Sequence, residues 1–100
     1  MATTTKVLAR TAAATSSATL YTVPSSTTAV ITSIAVTNSA GTAATFTLTL
    51  DGVALHTTSA IAANTTVYID LKQVLTTGKI VAGFASAVTV YFHISGVEIA

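Results

Sequence analysis

The chain has 100 residues and contains no cysteine. Disulfide frameworks, thiolate metal sites and cysteine nucleophiles are therefore excluded. One hundred residues form one domain, which buries about two-thirds of the surface of its unfolded chain. Stability must then come from a packed core and from contacts with partners.

Charge is also scarce, because charged residues make up 7% of the chain against about 25% in average proteins. The four basic residues form no cluster that could follow phosphates, so we expect no nucleic-acid binding. A near-neutral surface made of threonine and serine hydroxyls repels other copies only weakly. This composition favours a homo-oligomer.

Long apolar runs are missing as well. No stretch reaches the roughly 18 apolar residues of a membrane-spanning helix. Threonine and serine interrupt residues 1–18 throughout, which is unlike the apolar segment of a signal peptide. We therefore expect a protein that is made in the cytoplasm and does not enter a membrane.

Conventional catalytic groups are few: two histidines, His56 and His93, and three carboxylates. A catalytic metal needs about three protein ligands with supporting hydrogen bonds, and the spacing of these residues indicates no such set. Neither a Gly-x-Ser-x-Gly elbow nor a glycine-rich phosphate loop before a helix is present. We expect no enzyme, no metal and no cofactor.

The chain is instead rich in two-residue alternation. In residues 45–50, Phe46, Leu48 and Leu50 alternate with threonines, which is typical of a strand with one buried and one solvated face. Similar short segments recur at spacings of about 8 to 12 residues, separated by turn residues. The prediction is an all-β fold: a single antiparallel β-sandwich or jelly-roll-like domain of seven or eight strands, with no significant helix.

Several local predictions accompany this fold. Asp51-Gly52 predicts a type I′ hairpin turn, because both positions tolerate a positive φ. Gly96 predicts a bulge in the last strand. Residues 57–64 are expected to form a loop, and residues 72–75 could form only a short helical turn. The inward side chains are expected to be Val30, Thr32, Ile34 and Val36 in the longest strand, Val67, Ile69 and Leu71 in a later one, and Val88, Val90, Phe92 and Ile94 in the last.

Residues 1–17 are low in complexity and lie outside the strand rhythm. They are predicted to be a flexible N-terminal arm, followed by the β-sandwich domain over residues 18–100. One alternative is a frayed terminus, and the other is an arm that orders by adding to the sheet edge of a neighbour. Lys6 and Arg10 favour the second alternative, since two charges in ten residues are unusual in this chain.

Outward-facing aromatic and basic side chains are the candidates for partner contacts. Tyr68, Tyr91 and His93 are predicted to point outward from their strands, where aromatic residues serve as cross-strand partners or interface anchors. If Tyr21 shared a face with Tyr68 and Tyr91, the three could instead form a platform for a sugar. The predicted partner-binding residues are Lys6, Arg10, Tyr68, Tyr91 and His93.

Four segments resemble small virion structural proteins of tailed bacteriophages. They are LYTVP (20–24), TTAVITSI (27–34) with Asn38 before a small-residue turn, ATFTL (44–48) and ISGVEI (94–99). The likeness spans residues 20–99, about four-fifths of the chain. It lies in a rhythm of strands and turns, not in functional side chains.

Two roles are implied by this resemblance. The first is a head decoration or cement protein, commonly a trimer, that lies on the capsid surface of the virion and bridges neighbouring subunits of the major capsid protein. The second is a tail- or fibre-associated module that binds another virion protein or a host glycan. The first role is preferred, because the chain lacks the long repeats of a fibre shaft.

Overall fold

A computed structural model describes residues 3–100 and places them in eight β-strands, with no helix in that range. The predicted all-β fold is confirmed. The strands are β1 (Thr3–Ala12), β2 (Ala18–Thr22), β3 (Thr28–Asn38), β4 (Ala44–Leu50), β5 (Val53–Ile61), β6 (Thr65–Leu75), β7 (Ile80–Ala85) and β8 (Val90–Ile99).

The strands form two antiparallel sheets of four strands each. Sheet 1 has the order β1-β8-β3-β6, and sheet 2 has the order β2-β7-β4-β5. First and last strands are paired, as are the second and seventh, the third and sixth, and the fourth and fifth. This is the strand order of a jelly roll, in which two sheets pack over one core. The edge strands are β1 and β6 in sheet 1, and β2 and β5 in sheet 2.

The core lies between the inner faces of the two sheets. Alternate residues of β4 are buried as predicted: Phe46, Leu48 and Leu50 are at most 7% exposed. From sheet 1, Phe92 is fully buried and meets Phe46 edge to face, with ring centroids 6.4 Å apart. Aromatic contact across the two layers therefore joins the sheets at the centre of the sandwich.

The predicted faces of β3 are correct only in its second half. Ile34 and Val36 are buried, but Thr32 is an extra residue relative to β8, because Ile31 pairs with Gly96 and Ser33 with the adjacent Ser95. Because of this extra residue, the inward and outward positions on its N-terminal side are exchanged relative to a strict two-residue alternation. Ile31 is consequently buried and Val30 lies on the outer face, opposite to the prediction.

The last strand has one wrong assignment. Val90, Phe92 and Ile94 are buried as predicted, whereas Val88 is 61% exposed. Val88 belongs to the turn between β7 and β8, where the two-residue alternation does not apply.

Gly96 was predicted to mark a bulge in β8, but the extra residues lie on its neighbours. They are Leu8 in β1, opposite the step from Ser95 to Ile94, and Thr32 in β3, opposite the step from Gly96 to Ser95. A β-carbon on Gly96 would collide with the backbone carbonyl oxygen of Val30 and approach Leu8. Glycine is required here because two backbones approach closely, not because the strand itself bulges.

The predicted Asp51-Gly52 turn is confirmed. Asp51 and Gly52 have φ values of 55° and 75°, as a type I′ hairpin turn requires. Two segments predicted as irregular are strands instead: β5 continues to Ile61 and β6 continues to Leu75. Thr58 has a positive φ of 47°, and the pairing of β5 with β4 is irregular at this point. The sequence of this irregular segment is typical of a loop.

Where the sequence predicts a flexible arm, the structure has an edge strand. Residues 3–12 form β1, which pairs with β8 from Thr3 opposite Ile99 to Ala12 opposite Tyr91. None of the side chains of β1 is fully buried. The backbone then crosses to sheet 2 through Ala13, whose N–H donates to the carbonyl of Val90 at 2.7 Å. Met1 and Ala2 lie outside the described residues.

A buried asparagine organises the loops at one end of the sandwich. Asn38 is 1% exposed, and its Nδ2 donates to the carbonyl oxygens of Thr42 at 2.8 Å and Ala62 at 3.3 Å. Its Oδ1 accepts from the backbone N–H of Ala40 at 3.1 Å. The local sequence at Asn38 indicates only a turn, because this role depends also on Ala62, 24 residues away in the chain.

Candidate partner-binding face

The outer face of sheet 1 brings together most of the predicted contact residues. Cross-strand pairing places Arg10 of β1, His93 of β8, Ala35 of β3 and Tyr68 of β6 in one row across the sheet. The adjacent row on this face contains Ala12, Tyr91, Thr37 and Thr66. We call this outer surface of β1, β8, β3 and β6 the partner-binding face.

The partner-binding face carries most of the large apolar side chains that the fold leaves exposed. Within residues 3–100 there are six such side chains, and four of them lie here: Val7 (42%), Tyr68 (78%), Val74 (64%) and Tyr91 (38%). Small residues such as Ala35, Ser33 and Ser95 lie between them. A flat sheet face with small side chains at its centre allows another surface to approach closely.

Lys6 is the predicted contact residue that the structure places elsewhere. Its Nζ lies 3.2 Å from Oε1 of Glu98, at the edge of sheet 1 and away from the partner-binding face. The other oxygen of Glu98 accepts a hydrogen bond from the Tyr21 hydroxyl at 2.5 Å. Because Tyr21 belongs to β2 in sheet 2, this group of three ties β1 to both sheets.

The same contacts change the acidity of two members of the group. The hydrogen bond from Tyr21, followed by the neighbouring Lys6, lowers the pKa of Glu98 below its usual 4.5. Burial and the adjacent carboxylate raise the pKa of Tyr21. Each shift favours the state in which the neutral tyrosine donates to the ionised glutamate.

We predict that Glu98→Gln reduces the dependence of stability on pH in acid. A carboxyl whose pKa is lowered by folding contributes stability that is present above its unfolded pKa, about 4.5, and is lost as pH falls through the folded value. The difference in the free energy of unfolding between the wild type and the variant should therefore become smaller below about pH 4.5. Urea unfolding between about pH 7 and pH 3 measures it.

Tyr21→Phe provides the matched variant, since it keeps the ring and removes the hydroxyl that lowers the pKa of Glu98 most. It should also weaken the acid dependence. If the free energy of unfolding fell with pH in the same way for the wild type and both variants, the contacts among Lys6, Glu98 and Tyr21 would contribute nothing to stability in acid.

The tyrosines do not form a common platform. Tyr21 contacts Glu98 across the edge of the sandwich, whereas Tyr68 and Tyr91 lie on the partner-binding face. Strand β3 separates Tyr68 on β6 from Tyr91 on β8, and the two lie in adjacent rows, which places their backbones about 12 Å apart. The two exposed tyrosines therefore lie apart from each other on this face.

The two histidines are also far apart. His93 lies on the partner-binding face, and His56 lies in sheet 2, where its ring is 5.5 Å from that of Phe46 and its Nδ1 is 3.1 Å from the Ser59 hydroxyl oxygen. These contacts give His56 a packing role. In the range 3–100, no group of three or more histidine or carboxylate side chains is placed to hold a metal ion.

An open groove of about 320 Å³ lies at one end of the sandwich, between the β4–β5 turn and the end of β6. Leu50, Val53, Val74 and Leu75 supply its apolar lining. At its mouth, the Lys79 ammonium lies 3.6 Å from the Asp51 carboxylate. No local sequence pattern indicates this groove, because Val53 and Val74 are far apart in the chain and come together only in the folded protein.

Among residues 3–100, no helix is long and apolar enough to cross a membrane. Comparison of the chain with models of known protein families gave no match, and comparison with curated proteins gave no relative.

Proposed function

We propose that this chain is a structural protein of a tailed bacteriophage particle and that it decorates the head as a cement protein. In this role it lies on the capsid surface of the virion as a homotrimer and bridges neighbouring subunits of the major capsid protein. The observation that carries the proposal is the partner-binding face, where exposed tyrosines and valines surround small side chains. The resemblance of residues 20–99 to small phage virion proteins supplies the biological context.

The dimensions of the partner-binding face suit this role. Four strands about 4.8 Å apart and about ten residues long cover about 650 Å². A specific interface of ordinary size buries about 800 Å² on each partner. One sheet face with its flanking loops is therefore large enough to hold the protein on a shell without a deep pocket.

The side chains of the partner-binding face favour direct short-range contact with a partner over long-range electrostatic attraction. Its charged side chains are Arg10, Asp70 and Lys72, and its titratable neutral groups are His93, Tyr68 and Tyr91, so apolar contact and hydroxyl groups dominate. A protein that binds only the assembled shell stabilises that shell by mass action. Catalytic groups are not needed for this function.

The proposal is tested with heads of the encoding phage that lack this protein. Purified protein should co-sediment with expanded heads at micromolar concentration and should raise the temperature at which they rupture. The double variant Tyr91→Ser/His93→Ser should bind weakly, because it removes the central aromatic and imidazole groups of the partner-binding face. Val53→Ser is the matched control, since Val53 is 68% exposed but belongs to sheet 2.

Failure of the wild type to bind heads would overturn the cement role. Equal binding by the wild type and the double variant would show that another surface makes the contact. Binding to host cells or glycans, without binding to heads, would favour the tail- or fibre-associated role instead.

A further inference from the structure

The two edges of sheet 1 are suited to pair with each other in different copies of the chain. Sheet 1 has four antiparallel strands, so its edge strands β1 and β6 run in opposite directions. A second copy placed beside the first in the same orientation would therefore bring β1 antiparallel to β6. The strands are also matched in length, at 10 and 11 residues.

Charge distinguishes these edges from each other. The two ion pairs among residues 3–100 are Lys6 with Glu98 and Lys79 with Asp51. Of the seven charged side chains, this leaves Arg10 on β1 and Asp70 and Lys72 on β6 without an ion-pair partner in the described part of the chain. Arg10 and Asp70 both lie on the outer face of sheet 1, at opposite edges.

We propose that β1 of one copy adds to β6 of a second copy and that Arg10 binds Asp70 and Tyr68 across this junction. Continuing the cross-strand rows places Arg10 level with Tyr68, which is 78% exposed, and one row from Asp70. Diagonal neighbours in a sheet are within reach of a long side chain. Arg10 can then stack on the tyrosine ring and pair with the carboxylate at once.

The positions of the other charges agree with this pairing. Lys72 follows Asp70 along β6, on the side away from the Tyr68 row, so it does not meet Arg10 in this register. Pairing of β1 with β1 would bring together two edges that each carry Arg10, which has no ion-pair partner within residues 3–100, and this disfavours that contact. A charged side chain on an edge strand opposes indiscriminate strand pairing. Here Arg10 lies on β1, and the opposite charge of Asp70 lies on β6, the edge that is antiparallel to β1 when both copies have the same orientation.

The contact joins two different edges, so it is a heterologous interface. Such an interface forms a closed ring when a whole number of copies completes a rotation of 360°, and it forms a filament otherwise. It also aligns the partner-binding faces of neighbouring copies into one continuous surface. The inference concerns contacts between copies alone and does not depend on binding to a capsid.

Charge exchange is the first test, with sedimentation of the purified chain as the readout. Arg10→Asp and Asp70→Arg should each weaken self-association by about tenfold, since each replaces an attraction by a repulsion. The double variant Arg10→Asp/Asp70→Arg should recover wild-type association. Lys72→Ala is the matched control and should associate like the wild type.

Crosslinking separates this contact from a symmetric one. The chain lacks cysteine, so Ala12→Cys/Thr66→Cys, at the two ends of the adjacent row, introduces the only thiols and keeps Arg10, Tyr68 and Asp70. Three strand spacings, about 14 Å, separate the two positions within one copy, which prevents a short bis-maleimide from joining them internally. The double variant should give products larger than dimers, and neither single variant should be crosslinked.

Products larger than dimers that need both thiols, whether they end at a ring or continue, support the junction. Products that stop at dimers would overturn it, because they indicate two copies packed face to face about a two-fold axis. A monomeric wild type, or a double charge exchange that fails to restore association, would overturn it as well.

Discussion

Phe92→Ala is expected to destabilise the protein by about 3–5 kcal/mol, because truncation of a buried aromatic side chain leaves a cavity that the core fills only partly. Phe92 is fully buried in β8 and contacts Phe46 of the opposite sheet edge to face. The substitution therefore removes packing within sheet 1 and one of the contacts between the layers. Since about 1 kcal/mol corresponds to a shift of 4–8 °C in a domain of this size, the melting temperature should fall by more than about 10 °C.

The neighbouring substitution His93→Ala is the control. His93 lies on the same strand but points to the exposed partner-binding face. Its removal should change the free energy of unfolding by less than about 0.5 kcal/mol. If His93→Ala were the more damaging of the two in thermal or urea unfolding, the two faces of β8 would be reversed.

Gly96→Ala should destabilise the protein by about 2–3 kcal/mol, although it adds only one methyl group. That methyl would collide with the carbonyl oxygen of Val30 and approach the Leu8 side chain. Leu8 can rotate away, but the backbone of β3 must move, and β3 is paired on both sides. Urea unfolding curves give the loss directly.

Gly41→Ala separates this steric effect from the general effect of replacing glycine. Gly41 lies between β3 and β4, has no positive φ, and has open space where a β-carbon would be placed. Its replacement should be neutral or slightly stabilising, because alanine restricts the unfolded chain more than glycine does. Equal losses for the two variants would mean that β8 and β3 are further apart than the structure places them.

The fold class could be predicted from the sequence because the alternation of a strand is a local property. In β4, every second residue is apolar, and these are the residues that the sandwich buries. The Asp51-Gly52 turn was equally predictable, since its positive φ values depend on the two residues themselves.

Prediction failed where an extra residue interrupts a strand. Thr32 has nothing in its own sequence context that marks it as inserted, and its effect on Val30 and Ile31 arises from the pairing of β3 with β8. The same holds for β5 and β6, whose irregular positions suggested a loop and a helical turn. Long-range hydrogen bonding kept both segments in their sheets.

The candidate face was partly predictable as well. Outward positions of Tyr68, Tyr91 and His93 follow from alternation within single strands. Only the pairing of β1 with β8, β8 with β3 and β3 with β6 brings Arg10, His93 and Tyr68 into one row, while Lys6 turns away to Glu98. No local pattern connects residues 10, 68 and 93.

By itself, the amino-acid sequence determined a cysteine-free, weakly charged all-β chain and the inward or outward side of most uninterrupted strands, because these depend on composition and on a period of two residues. The tertiary structure decided the order of strands in each sheet, the placement of residues 3–12 as an edge strand, the close approach at Gly96 and the composition of the exposed face. These features arise from backbone hydrogen bonds between distant segments, whose register is set by the whole sandwich at once.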